Sequence, residues 1–119
     1  MLTLAPQARI WLHVPPVDLR KSFDGLCGLV RSVFGADPRD GGVFLFLNRR
    51  RDRIKMLLWD RDGLLLVYKR LEAGTFETIP SPDGAAVEID AVQLAMLLGG
   101  VSLASAKRRP RYPVVGVRG

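Results

Sequence analysis

The chain has 119 residues, 48% hydrophobic and 25% charged, which suits one soluble domain with an ordinary core. Eighteen Lys and Arg against twelve Asp and Glu give a net charge of +6, which favours polyanions as partners, nucleic acid first. One cysteine, Cys27, allows no intrachain disulfide, and no apolar run is long enough to span a bilayer. The first residues also lack the positive start and apolar block of a signal peptide, so a cytoplasmic location is expected.

Residues 9–13 read as a short strand closed by Val14-Pro15-Pro16. From Ser22 the period changes. Phe23, Leu26, Cys27, Val30, Val33 and Phe34 fall on one helical stripe, so a helix is predicted over 22–34. Ser22 is its expected N-cap, Asp24 suits its positive start, and Gly35 stops it. Residues 36–42 (ADPRDGG) form a turn-rich loop, and 43–47 (VFLFL) a strongly apolar strand.

Residues 48–70, NRRRDRIKMLLWDRDGLLLVYKR, are the most informative stretch. A knot of positive charge, Arg49, Arg50, Arg51, Arg53 and Lys55, opens it. Two alternating runs, 53–59 and 64–70, flank Asp60-Arg61-Asp62-Gly63, and an Asp-Gly step between such runs predicts a hairpin with positive φ at the glycine. Alternation puts Arg53, Lys55, Leu57, Trp59, Leu66, Tyr68 and Arg70 on one face. Ile54, Met56, Leu58, Leu65, Val67 and Lys69 take the other, which is fit for a core. Cations interleaved with Trp59 and Tyr68 suit a phosphate backbone and its bases. The alternative is a solvated face on which Arg and Lys stems cover the rings.

Residues 72–85 are a loop, 87–89 a short strand, and 91–98 a second helix capped by Asp90, with Leu94, Leu97 and Leu98 on its stripe. The expected architecture is α+β: an antiparallel meander sheet of four to five strands with two helices packed on one face. The domain is expected to occupy 1–100. Residues 101–119 read as a flexible basic tail, with Lys107, Arg108, Arg109 and Arg111 beside Tyr112, a composition that often finds nucleic acid.

Little in the chain signals catalysis. His13 is the only histidine, and with one cysteine it cannot complete a four-ligand zinc site. Cys27 lies on the apolar stripe, Asp52, Asp60 and Asp62 sit in turns, and no phosphate-cradling glycine loop occurs. No cofactor or metal is implied. Arg20 and Lys21, just ahead of the first helix, are a second candidate anion site; the competing reading is surface pairing with Asp18 and Asp24.

Three blocks in this order carry a further signal: DLRKSFDGL at 18–26, the 48–72 block with its WDRDG and YKRLE cores, and QLAMLL at 93–98. Together they resemble the Orf2-like (TnpB) accessory protein of the insertion-sequence-sixty-six family of bacterial mobile elements. The resemblance covers about residues 3–100. After Gly100 the family tends to continue with an acidic residue and a tryptophan, where this chain has Ser102-Leu103. The resemblance implies a non-enzymatic protein, encoded beside a larger transposase, that assists transposition. The expected function is contact with DNA or a transposase–DNA complex through the basic, aromatic hairpin face. The expected site residues are Arg49, Arg50, Arg51, Arg53, Lys55, Trp59, Tyr68 and Arg70, with Arg20 and Lys21. The alternative is an interaction module without DNA contact. It would use an apolar patch of Leu57, Trp59 and Leu66 to bind the transposase or a second copy.

Overall fold

The computed structural model describes residues 7–113. Its strands are β1 (Ile10–His13), β2 (Val43–Leu47), β3 (Arg53–Asp60), β4 (Gly63–Arg70) and β5 (Ala86–Ile89). Helix α1 (Phe23–Leu29) follows β1 and widens into a π-helical turn (Val30–Phe34), and α2 (Ala91–Gly99) follows β5. The α+β class and the five strands agree with the sequence reading.

The sheet order is β4-β3-β2-β1-β5. β2, β3 and β4 form the antiparallel meander, but β1 runs parallel to β2, so the sheet is mixed. A parallel pair needs a crossover, and α1 supplies it. The helices do not share a face as expected. The α1 side chains Leu26, Cys27 and Val30 pack with Phe44, Phe46 and Leu57. The α2 side chains Leu94 and Leu97 pack with Leu45, Met56 and Leu58 on the opposite face. Every residue of β2 is therefore buried, which is why that strand is continuously apolar rather than alternating.

β4 and β5 lie at opposite edges, so residues 71–85 must travel the width of the sheet. They cross on the α2 face and anchor there through Leu71 and Phe76, the latter fully buried. Residues 101–113 then return over this connection. Ser102 Oγ donates to Glu77 at 2.7 Å, Arg109 Nη2 to Thr75 Oγ1 at 3.1 Å, and the Arg111 guanidinium lies 5.3 Å above the Phe76 ring. This part of the expected tail is packed on the domain; the rest of it, 114–119, falls outside the described residues.

Asp90 caps α2 by accepting from the Gln93 N–H, while the Gln93 side chain accepts from the Asp90 N–H. Ser22 occupies the N-cap position of α1 but makes no side-chain cap bond. Gly35, at φ +62°, ends the helical segment as expected. Cys27 is buried, and burial pushes its thiol pKa up. Modification by a thiol reagent should be slow in the native protein and become fast only on unfolding; equal rates in both states would contradict this packing.

The hairpin register matches the predicted parity, with Arg53 opposite Arg70, Lys55 opposite Tyr68, and Asp60 opposite Gly63. The turn is Arg61-Asp62, and its positive φ falls on Arg61 (+54°), not on Gly63. A positive φ at the first loop position, closed by a bond from Asp62 N–H to the Asp60 carbonyl, is backbone in which glycine is preferred. Arg61→Gly should raise stability by about 0.5 kcal/mol, as relief of strain is offset in part by unfolded-chain entropy. Gly63→Val should be close to neutral, because nothing lies within 4 Å of the added Cβ. Chemical denaturation of the two variants checks both.

Candidate nucleic-acid interface

Two rigid loops meet beside the open end of the hairpin. The 48–52 turn is held by Asn48, whose side chain accepts from the N–H groups of Asp52 (3.1 Å) and Arg53 (3.0 Å) and donates to the Asp52 carboxylate (2.6 Å). Arg51 takes a left-handed φ of +60° there, and its carbonyl accepts from the Phe76 N–H. This geometry turns Arg49 and Arg50 outward as exposed tips. The loop ahead of α1 is tied alongside by the bond from Val17 N–H to Leu47 O (2.8 Å) and by burial of Val17 and Leu19.

Between these loops lies a cleft of about 400 Å³. Arg20, Arg49, Arg50 and Arg53 line it, together with Tyr68 and a single carboxylate, Asp18. Asp18 accepts from the Arg20 guanidinium at 2.6 Å and from the Arg20 N–H at 3.0 Å, and these bonds hold its pKa down at about 2. Tyr68 is half exposed and accepts from Arg53 at 3.4 Å. Arginine offers planar forks that fit phosphate oxygens, so this arrangement suits a polyanion. Among the described residues no group of three or more His, Cys, Asp or Glu side chains could hold a metal ion. No helix among them is long and apolar enough to cross a membrane.

The structure thus joins Arg20 to Arg49, Arg50, Arg53 and Tyr68, which the sequence could only treat as two separate groups. Other candidates fall elsewhere. Lys55 is on the predicted face, but α1 covers that face. Its side chain is 7% exposed, and Nζ donates to the Lys21 carbonyl at 2.8 Å while sitting 4.8 Å above the Tyr68 ring. Lys55 is therefore a buried strut that links the loop ahead of α1 to β3 and supports Tyr68 from behind. Lys21 contributes that carbonyl; neither its side chain nor that of Arg51 lines the cleft.

Trp59 sits at the far end of β3, about 20 Å along the strand from Arg53, and its Nε1 donates to the Arg61 carbonyl. It belongs to the hairpin turn and not to the basic site. The proposed apolar patch of Leu57, Trp59 and Leu66 is not an open surface either, because Leu57 is fully buried beneath α1. His13 is likewise a core residue: Nδ1 donates to the Pro15 carbonyl at 2.8 Å, and the ring packs against Phe34 and Phe46. Arg70 pairs with Glu72 at 2.9 Å. It faces a second cleft, of about 530 Å³, formed with Lys69, the end of α2 and the returning 101–113 segment. Sequence reasoning named the cations of that segment but had no signal for their docking.

No solved structure matches the chain. Two proteins of Sinorhizobium fredii do, each bearing an uncharacterized name. The protein y4jC is 37% identical over 102 residues, covering 86% of each chain. The protein y4hO is 35% identical over 101 residues, covering 85% of this chain and 87% of its own. A family model described as IS66 Orf2 like protein matches residues 8–108, almost all of the described fold and both loops of the first cleft. The chain belongs to the IS66 Orf2-like family.

Proposed function

We propose that this protein is a non-enzymatic accessory factor of its insertion sequence that grips the phosphate backbone of the element's DNA in the Arg20–Arg53 cleft. Family membership suggests the accessory role in transposition. The observation that carries the DNA contact is the cleft itself, where four arginines from three chain segments converge on Tyr68 with one carboxylate among them. The arginines would neutralise successive phosphates, and the tyrosine would pack on a sugar or base.

The test is affinity for the element's terminal DNA over a range of salt concentrations. Alanine at Arg49, Arg50 and Arg53 should flatten the salt dependence on a duplex, by roughly 0.9 in the log–log slope for each phosphate left without its arginine. Asp18→Asn should act in the opposite direction. It frees Arg20 and removes the cleft's carboxylate, so affinity should rise about threefold, an increase that misfolding would not produce. If the triple variant binds as wild type does at equal salt, the cleft is not the site.

A second reading rests on one feature. β4 is an edge strand of eight residues, exposed from Val67 to Arg70, and open edges accept a partner's strand. Binding to the element's transposase that survives high salt, with no binding to DNA at low salt, would favour that reading over DNA contact.

A further inference from the structure

The second cleft opens on the other side of the edge strand from the first. Tyr68 lines the first and the next residue, Lys69, lines the second, as alternation along a strand requires. Arg70, opposite Arg53 in the register, shares the parity of Tyr68 but lies at the strand's end, where it lines the second cleft. Lys69, Arg70, Arg108, Arg109 and Arg111 line the second cleft against one carboxylate, Glu72, already paired with Arg70. Several of these cations are fixed in place. Lys69 donates to Leu98 O at 3.3 Å and Arg111 to Leu97 O at 3.3 Å, both at the carbonyl end of α2. Arg111 is incompletely satisfied: beyond Leu97 O and the Phe76 ring, its Nε and Nη1 are buried with no hydrogen-bond partner among the described residues, and both burial and neighbouring Arg109 oppose its charge. A desolvated guanidinium without a counter-ion is costly, and an anion in the cleft relieves it. Each cleft also carries an exposed tyrosine, Tyr68 at 50% and Tyr112 at 64% exposure. Bases inside a duplex cannot stack on such rings, whereas those of a single strand can.

We infer that one single strand of DNA passes over the edge of β4 and occupies both clefts at once, its phosphates on the two arginine groups and its bases on Tyr68 and Tyr112. This rests on the DNA reading of the first cleft and adds the form of the ligand and the second site. A strand held at two linked sites gains affinity through effective concentration, with no new kind of contact.

The experiment measures binding of oligo-deoxythymidine of about four and about twelve nucleotides, and of a duplex of about twelve base pairs, at one low salt concentration. At a rise of about 3.4 Å per nucleotide the longer strand reaches roughly 40 Å, comparable with the molecule's longest dimension of 40 Å, while the two clefts meet at the adjacent residues Tyr68 and Lys69. The proteins are wild type, the first-cleft triple alanine variant, and a second-cleft variant, Lys69→Ala with Arg108→Ala, all checked for unchanged melting. Wild type should bind the longer strand at least tenfold more tightly than the shorter, and more tightly than the duplex. Each variant should reduce that length gain to about threefold or less. A second-cleft variant that keeps the full gain removes the second site. A duplex that binds as tightly as the single strand overturns the single-strand inference while leaving the DNA reading intact. Failure of wild type to bind any of the three probes defeats both.

Discussion

Phe76→Ala should lower folding stability by about 3–5 kcal/mol, the range for deleting a large buried aromatic. For a domain whose whole stability is normally about 5–15 kcal/mol, that loss is severe. Phe76 is the residue that fastens the long connection from β4 to β5 onto the sheet. Its ring is fully buried in the α2-side core, and its N–H donates to the Arg51 carbonyl at 2.7 Å. Truncation empties the space between the connection and the sheet, and it removes the surface on which Arg111 rests. Phe76→Leu keeps most of the volume and should cost less than half as much. In denaturant, the alanine variant should show a lower midpoint at nearly constant slope. A midpoint close to wild type would mean that Phe76 is not part of the core.

Gly74→Ala should cost about 2–4 kcal/mol, through a different cause. Gly74 has φ +79°, and a Cβ there would lie 1.8 Å from the Pro110 carbonyl oxygen. That obstacle is backbone, so no rotamer change removes it. Either the connection or the returning segment must move, and the returning segment is the less firmly held of the two. The variant should therefore melt lower and be cut faster by trypsin after Lys107 or Arg108, while Pro110 protects the bond after Arg109. Gly100→Ala is the instructive comparison. Its Cβ would meet the end of the Arg111 side chain, at φ +81°, and a side chain can move aside. Unchanged melting and unchanged cleavage in Gly74→Ala would show that 101–113 does not pack over Gly74.

Local pattern and fold agree on periodicity, while two short-range signals misled: the positive φ of the hairpin turn falls on Arg61 and not Gly63, and Ser22 makes no cap bond. The period-2 alternation across the turn gave the hairpin's faces and register, and the 3.6-residue stripe gave the buried side of α1 with Cys27. The continuous apolar run 43–47 already implied a strand covered on both faces, which is incompatible with both helices lying on one face. Reading Lys55 as a surface cation failed for the same reason. Its face was right, but α1 covers that face, and the long stem carries the ammonium out to the Lys21 carbonyl. The parallel β1–β2 pairing has no local signature beyond the chain length between them. The cleft depends on the Val17–Leu47 backbone bond, and the docking of 101–113 on Glu77, Gly74 and Phe76. These are single long-range interactions that no periodicity announces.

The position of β1 has a consequence for how the molecule comes together. The first strand of the sheet lies inside it, with β2 on one side and β5 on the other. During synthesis β3 and β4 can zip as soon as both leave the ribosome, since their turn is only two residues long. β1 must wait for β2 across the whole of α1, and its second flank stays unpaired until residues 86–89 are made. Closing such distant pairs carries the larger loop entropy. The strand translated first is therefore the last to be completely paired, and a nascent chain stalled before Ile89 would present the open flank of β1, and not only the edge of β4, to its neighbours.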